Sequence, residues 1–216
     1  MVGKRDKTLT LAFLIKNNLN INENKGYMKI LAFSDLHGDK KALSSLIKIS
    51  NSKKPDVIVC TGDISDNRMS VKDIITELKK SGKPILIVHG NHETREEIKS
   101  DKQVTNLHKK IMSIENHNFI GFGGGGFSRK DLEFETFSKN IKKENIVLVT
   151  HAPPYNTSLD ILPMGHVGSM SIKNFIKKHK PVLVICGHIH ENDGKSEKIN
   201  KTLIINPGIK GKIIEI

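Results

Sequence analysis

Apolar residues in this chain gather in short unbroken runs. The stretches 29–33, 57–60, 85–88, 146–149 and 182–186 are apolar or nearly so. Strands covered on both faces read this way, because neither face has to meet water. Between them, 40–49, 71–80, 132–141 and 171–178 read as helices, as do 95–100 and 104–111. Further strands are predicted at 118–122, 202–205 and 212–216. The alternation predicts an α/β layered fold with no internal repeat. Residues 1–27 stand apart: Lys4, Arg5 and Lys7 precede an apolar stretch over 9–15 and a polar one over 17–25. No small-residue cleavage site follows, so the segment reads as a leader or N-terminal extension rather than an export signal. The domain is then expected over 28–216.

Composition narrows the class. The 216 residues suit one domain, and no apolar run approaches the roughly 20 residues of a membrane span. Two cysteines with no Cys-x-x-Cys pair exclude a disulfide framework and a zinc knuckle. Cys60 and Cys186 end apolar runs and read as small buried hydrophobes. The formal charge is +12, but 31 of the 35 basic residues are Lys, spread along the chain. That distribution reads as a solvated surface rather than a nucleic-acid footprint, which would cluster Lys and Arg. The expectation is a soluble, reduced, cytoplasmic protein without a membrane partner.

The ten histidines are not scattered. Five apolar runs each finish in polar chemistry: Ser34-Asp35-Leu36-His37, Thr61-Gly62-Asp63, His89-Gly90-Asn91-His92-Glu93, Thr150-His151-Ala152 and Gly187-His188-Ile189-His190. In open α/β sheets, loops at the carboxyl ends of strands converge on one crevice. Parallel strands would therefore bring Asp35, His37, Asp63, Asn91, His92, His151, His188 and His190 to one pocket. Gathering such groups without a counter-ion is costly. Nitrogen and oxygen donors without thiolate suit Mn²⁺, Fe²⁺, Co²⁺, Ni²⁺ or Zn²⁺. Seven ligands are too many for one tetrahedral ion and right for two that share a carboxylate. His188 and His190, two apart, are expected on one side of an extended segment. His108, His117 and His179 read as surface residues, and 121–126, lacking the Gly-Lys-Ser/Thr ending, as a tight turn rather than a phosphate cradle.

These motifs resemble the calcineurin-like metallophosphoesterases, whose pattern is D-x-H, G-D-x-x-D, G-N-H-[DE], a lone His and G-H-x-H. The stretches His151-Ala152-Pro153-Pro154, His166-Val167-Gly168-Ser169 and Asn206-Pro207-Gly208 resemble the small prokaryotic branch related to cyclic-nucleotide phosphodiesterases. The resemblance implies a four-layer αββα sandwich of two mixed β-sheets flanked by helices, with a dinuclear metal site at strand ends. It implies one divalent ion, Mn²⁺ favoured, on Asp35, His37, Asp63 and His190, and a second on Asp63, Asn91, His151 and His188. A hydroxide bridging the ions would attack a small phosphomonoester or phosphodiester. His92 would serve as general acid or phosphate stabiliser, oriented by Asp66. Where some branches place a phosphate-gripping Arg, this chain has Asn67, so the grip falls to Arg68, to Arg95 or to the metals alone. His166 is a candidate for the substrate mouth. Two other readings compete: a nuclease, prompted by the positive charge, and a non-catalytic scaffold of the same fold.

Overall fold

The computed structural model describes residues 26–216, so the leader expected over 1–27 lies almost wholly outside the described residues. In chain order the elements are β1 (Lys29–Phe33), α1 (Lys40–Lys53), β2 (Val57–Cys60), α2 (Val71–Lys79), β3 (Ile85–Ile87), β4 (Val104–Asn106), β5 (Lys110–Ile114), β6 (His117–Phe122), α3 (Leu132–Ser138), β7 (Ile146–Thr150), β8 (Ile161–Leu162), β9 (Gly165–His166), α4 (Met170–His179), β10 (Leu183–Ile185), β11 (Ser196–Ile199), β12 (Thr202–Ile205) and β13 (Lys212–Glu215). Each helix begins where a short polar side chain caps free backbone N–H groups: Asp39, Ser70, Asp131 and Ser169.

Two mixed sheets result. One has the order β13-β1-β2-β3-β4, with only β13 antiparallel to its neighbour. The other has the order β11-β12-β10-β7-β6-β5, parallel in its centre and antiparallel at both edges. A small hairpin, β8-β9, stands outside both.

Strand alternation builds the layers. In β1, Ile30 and Ala32 join Val147, Val149, Leu183 and Ile185 in a core between the sheets. Leu31 and Phe33, one residue out of phase, pack with Leu43, Leu46, Ile74 and Leu78 of α1 and α2. The outer face of the second sheet repeats the arrangement, with Leu148 and Val184 against Phe134, Phe175 and Ile176 of α3 and α4. Unbroken apolar strands are thus required, since each face is buried against a different layer. The result is the expected four-layer sandwich. Cys60 and Cys186 are free and buried in the two outer cores.

One stretch folds against expectation. Residues 95–100 and 104–111 form no helix; β4 pairs parallel with β3, and β5 pairs antiparallel with β6. The Asp101 carboxylate accepts the N–H groups of Gln103 and Val104 and turns the chain into β4. Val104 then enters the helix-side core, while Leu107 enters the inter-sheet core. Apolar positions three apart imitated a helical stripe, yet they serve two different layers.

Candidate metal centre

The carboxyl ends of β1, β2 and β3 from one sheet meet those of β7 and β10 from the other. The crevice therefore lies across the ends of the sandwich rather than along one sheet. Backbone bonds fix the loops: the Asp35 N–H donates to the Gly62 carbonyl at 3.0 Å, and the His37 N–H to that of Asp63 at 2.9 Å. Close approach requires glycine at two points. A Cβ on Gly90 would lie 1.9 Å from Asp63 Oδ1, and one on Gly187 would lie 1.8 Å from Ser34 Oγ. Asp35, His37, Asp63 and His188 all hold positive φ, between +43° and +72°. Such conformations cost non-glycine residues about 1–3 kcal/mol each and persist only where the surroundings enforce them.

Three sets of donor atoms lie within 4.8 Å of one another: Asp35, His37 and His190; His37, Asp63 and His92; Asp63, His151 and His188. Asp63 belongs to two of them and stands at the junction. Its Oδ1 accepts the N–H groups of Asn91 at 2.7 Å and His92 at 2.9 Å. Burial works to raise its pKa, but the bonds from His151 and these two N–H groups hold it well below the carboxylate range. It is ionised at any ordinary pH.

A divalent cation fits these donors. His151 Nδ1 faces the carbonyl of Thr61 at 2.8 Å, a pure acceptor, so Nδ1 carries the proton. Its Nε2 then looks at Asn91 Oδ1, 3.0 Å away, and Asp63 Oδ2, 3.4 Å away. With Nε2 bare these are three electron-rich atoms facing one another. Against the cost of burial, Asp63 accordingly raises the His151 pKa, so the place calls for positive charge, either a proton on Nε2 or a cation. His188 Nε2 is buried without a hydrogen-bond partner. Burial and the neighbouring His151 push the pKa of His188 down to about 4, so its ring is neutral near pH 7. On the other side, His37 Nε2 and His190 Nε2 stand 3.1 Å apart, with Asp35 Oδ1 3.5 Å from the latter. A positive ion in each place removes the conflict.

Asp35 supports the second loop from beneath: its Oδ2 accepts the His188 N–H at 3.0 Å. His188 and His190 do not share one side of an extended segment. His188 is left-handed and His190 begins a 3₁₀ turn, so the two rings enter different donor sets.

The remaining residues fall as follows. His92 is exposed at the rim, its ring 4.6 Å from that of His37. Asp66 directs its carboxylate to Arg68, accepting from the backbone N–H at 2.7 Å and from Nε at 2.6 Å. No Asp66–His92 hydrogen bond is present among the described residues. Arg68 also donates to the His37 carbonyl at 2.5 Å, bracing the first ligand loop from outside. Arg95 is exposed and pairs with Glu96. His166 lies on the β8-β9 hairpin, with Nδ1 2.7 Å from the fully buried Asp160. His108 is not a free surface residue: it is half-buried, its ring 4.6 Å from His89 and 4.9 Å from Phe122. His117 is likewise partly covered, and His179 stacks on Phe175.

Glu93 acquires a role the sequence signalled only as the last letter of its motif. It is buried, and Oε1 accepts the N–H groups of Asp63 at 2.8 Å and Gly90 at 3.0 Å. Its Oε2 takes the Ile64 N–H at 3.2 Å. One carboxylate thereby ties the loop after β2 to the loop after β3.

The crevice is that of a metal-dependent hydrolase. The sequence pattern of the calcineurin-like phosphoesterases matches residues 28–192. An uncharacterised protein of Methanocaldococcus jannaschii is 35% identical, covering 87% of this chain and 91% of that protein. A probable glycerophosphodiester phosphodiesterase of Arcobacter nitrofigilis is 24% identical over 74% of this chain and 66% of its own. Among solved structures, a dimetal phosphatase from Danio rerio superposes with a TM-score of 0.60 at 12% identity, covering 82% of this chain and 86% of its own. The chain belongs to the calcineurin-like phosphoesterase family, and the activity its fold and donor sets define is that of a metallophosphoesterase.

Proposed function

We propose that the protein hydrolyses small phosphate esters, a diester first among them, with two divalent ions. One ion is assigned to Asp35, His37, Asp63 and His190, the other to Asp63, Asn91, His151 and His188. The observation that carries this reading is Asp63, ionised and shared between donor sets on both sides. The nitrogen and oxygen donors suit Mn²⁺, Fe²⁺, Co²⁺, Ni²⁺ or Zn²⁺, and Mn²⁺, favoured by the family resemblance, is the first to test. When bound, the ions supply Lewis acidity and lower the pKa of bound water to near neutral.

The protein residues do the rest. His92 is exposed on the rim beside His37, where it meets the leaving oxygen of an ester seated in the crevice and gives it a proton. Its backbone N–H, bonded to Asp63 Oδ1, fixes where the side chain starts. Arg68, paired with Asp66 and bonded to the His37 carbonyl, braces the ligand loop and is the candidate grip on phosphate should it exchange that partner. The Arcobacter relative's name favours a diester, and the loop sequences around His151, His166 and Asn206 favour the branch related to cyclic-nucleotide phosphodiesterases.

The experiment is a substrate panel on stripped and remetallated protein: p-nitrophenyl phosphate, its bis ester, and 2′,3′- and 3′,5′-cyclic nucleotides. Turnover that requires added Mn²⁺ and is lost in Asp63→Asn supports the reading. Turnover in thoroughly stripped protein, or none with any metal and any ester, contradicts it.

A further inference from the structure

Next to the metal crevice lies a cavity of about 280 Å³ that the chemistry above does not use. It is lined by Phe127, Arg129, Leu162, Met164, His166 and Val167. Phe127 joins the two places: its ring stands edge-on to His188 with centroids 4.6 Å apart. We infer that this cavity receives a flat aromatic substituent of the phosphate ester while the phosphoryl group occupies the metal crevice. The inference rests on the phosphoesterase reading and adds the class of substrate.

The lining is costly to leave in water. Phe127 is 62% exposed and Met164 81%, two of the largest exposed apolar side chains among the described residues. An apolar surface left open beside a reactive site marks a place where a ligand supplies the missing burial. The loop that presents Phe127 is built for that position. Glycines 124, 125 and 126 take positive φ, and a Cβ on Gly126 would approach the His188 ring to 3.8 Å. The chain thus passes close over a candidate ligand and delivers a bare aromatic ring just beyond it.

The opposite wall is the β8-β9 hairpin, and it is anchored firmly. Buried Asp160 accepts the N–H groups of Asn156, Thr157 and Gly168 and holds His166 by Nδ1. Arg129 ties the two walls together. Its Nη2 donates to the His166 carbonyl at 2.9 Å, and its guanidinium lies 4.2 Å over the Tyr155 ring. A hydrogen-bonded frame around a small, open, mainly apolar hollow favours a flat apolar occupant.

An aromatic occupant matches each wall. The Phe127 ring offers an aromatic contact, and the Met164 thioether is a favourable neighbour for a ring edge. The Arg129 guanidinium favours a π face. His166, oriented through Nδ1, leaves its other nitrogen for a polar ring edge. A polyol or sugar would leave its hydroxyls unpaired against Phe127, Leu162, Met164 and Val167. A long acyl chain would outrun a space of this volume.

The test is calorimetric binding of three uncleavable probes to the full, Mn²⁺-loaded chain: phenylphosphonate, methylphosphonate and 2-hydroxyethylphosphonate. Phenylphosphonate should bind about tenfold or more tightly than the other two, in proportion to the ring area buried. Met164→Ser and Phe127→Ser should each reduce that preference at least fivefold, with metal content checked in both. The preference should persist in Val182→Ser, an exposed apolar site at the far end of β10. Met164 is so exposed that its replacement leaves the fold intact. Equal affinity for phenyl and methyl probes overturns the inference, as does a preference that survives both substitutions. A change in oligomeric state on Met164→Ser, with the preference unchanged, would mark the patch as an interface between copies. Binding does not require turnover, so a phenyl preference in a protein that cleaves no ester removes the phosphoesterase reading and keeps the aromatic site. No binding of any phosphonate removes both.

Discussion

The two sides of the metal crevice are built differently. Around Asp63, His151 and His188, two donors are buried and His188 is half-buried with its Nε2 covered, although Asn91 at the edge of this set is exposed. The His151 side chain is 0% exposed and its tautomer is set by the Thr61 carbonyl. Around Asp35, His37 and His190, one carboxylate is buried but the His190 side chain is 55% exposed. The imidazoles of the deep side have less freedom to lose when an ion arrives, whereas the rim side must order an exposed ring. Preorganisation of that kind separates affinities by much more than the ligand count would suggest. One tight site deep in the crevice and one weaker site at the rim are therefore expected.

Asp63→Asn should erase this contrast, because the shared carboxylate serves both sides. It should lose at least one ion and nearly all turnover, measurable by elemental analysis beside an activity assay. Two ions retained with wild-type activity would remove Asp63 from the junction.

Next in size is His92→Ala. His92 lies within reach of His37 and Asp63 but is left out of both proposed ligand sets, so metal content should hold while the rate falls roughly 10²–10⁴-fold. If the ring gives up a proton, the loss should shrink for p-nitrophenolate, which barely needs one, and be complete for an alkoxide. Equal losses across leaving groups would point to charge stabilisation instead.

Glu93→Gln tests whether the loops themselves set the difference between the sides. The amide cannot accept at both ends, so at least one of the N–H groups of Asp63, Gly90 and Ile64 loses its partner. A buried unpaired donor costs about 1–3 kcal/mol. Metal affinity should weaken roughly 10–100-fold, read by competition with a chelator, and unchanged affinity would leave Glu93 a purely structural tie.

The smallest expected effect lies outside the crevice. Burial, with the charges of His89 and Lys109, lowers the His108 pKa to about 4. The unfolded chain protonates that ring near pH 6.5, so between about 6.5 and 4 it binds the extra proton and the folded state does not. Stability then falls as pH drops through that window. His108→Gln, which keeps an acceptor for the Gly123 N–H, should flatten the fall. Urea midpoints that decline equally in both proteins would show that the ring takes its proton without cost.

The strand ends, and hence the crevice, were legible because five apolar runs stop at the same kinds of residue. The layers were legible too, since strands buried on both faces leave no polar phase. What the sequence hid depends on contacts distant in the chain. Val104 and Leu107 look like a helical stripe until β3 and β6 are there to pair with β4 and β5. The partner of Asp66 is Arg68 rather than His92, a matter of side-chain aim that spacing does not encode. The half-burial of His108 follows from His89, just after β3 of the first sheet, and Phe122 in β6 of the second. Glu93 was visible as a motif letter, but its three N–H partners come from two loops about 30 residues apart in the chain.

The difference between deep and rim sites is tested most directly by metal content after gel filtration of wild type, His190→Ala and His151→Ala, each first loaded with Mn²⁺. His190→Ala is expected to keep one tightly held ion, while His151→Ala loses that ion and retains at most the weakly held one. A tight ion that survives in His151→Ala and disappears in His190→Ala would contradict it.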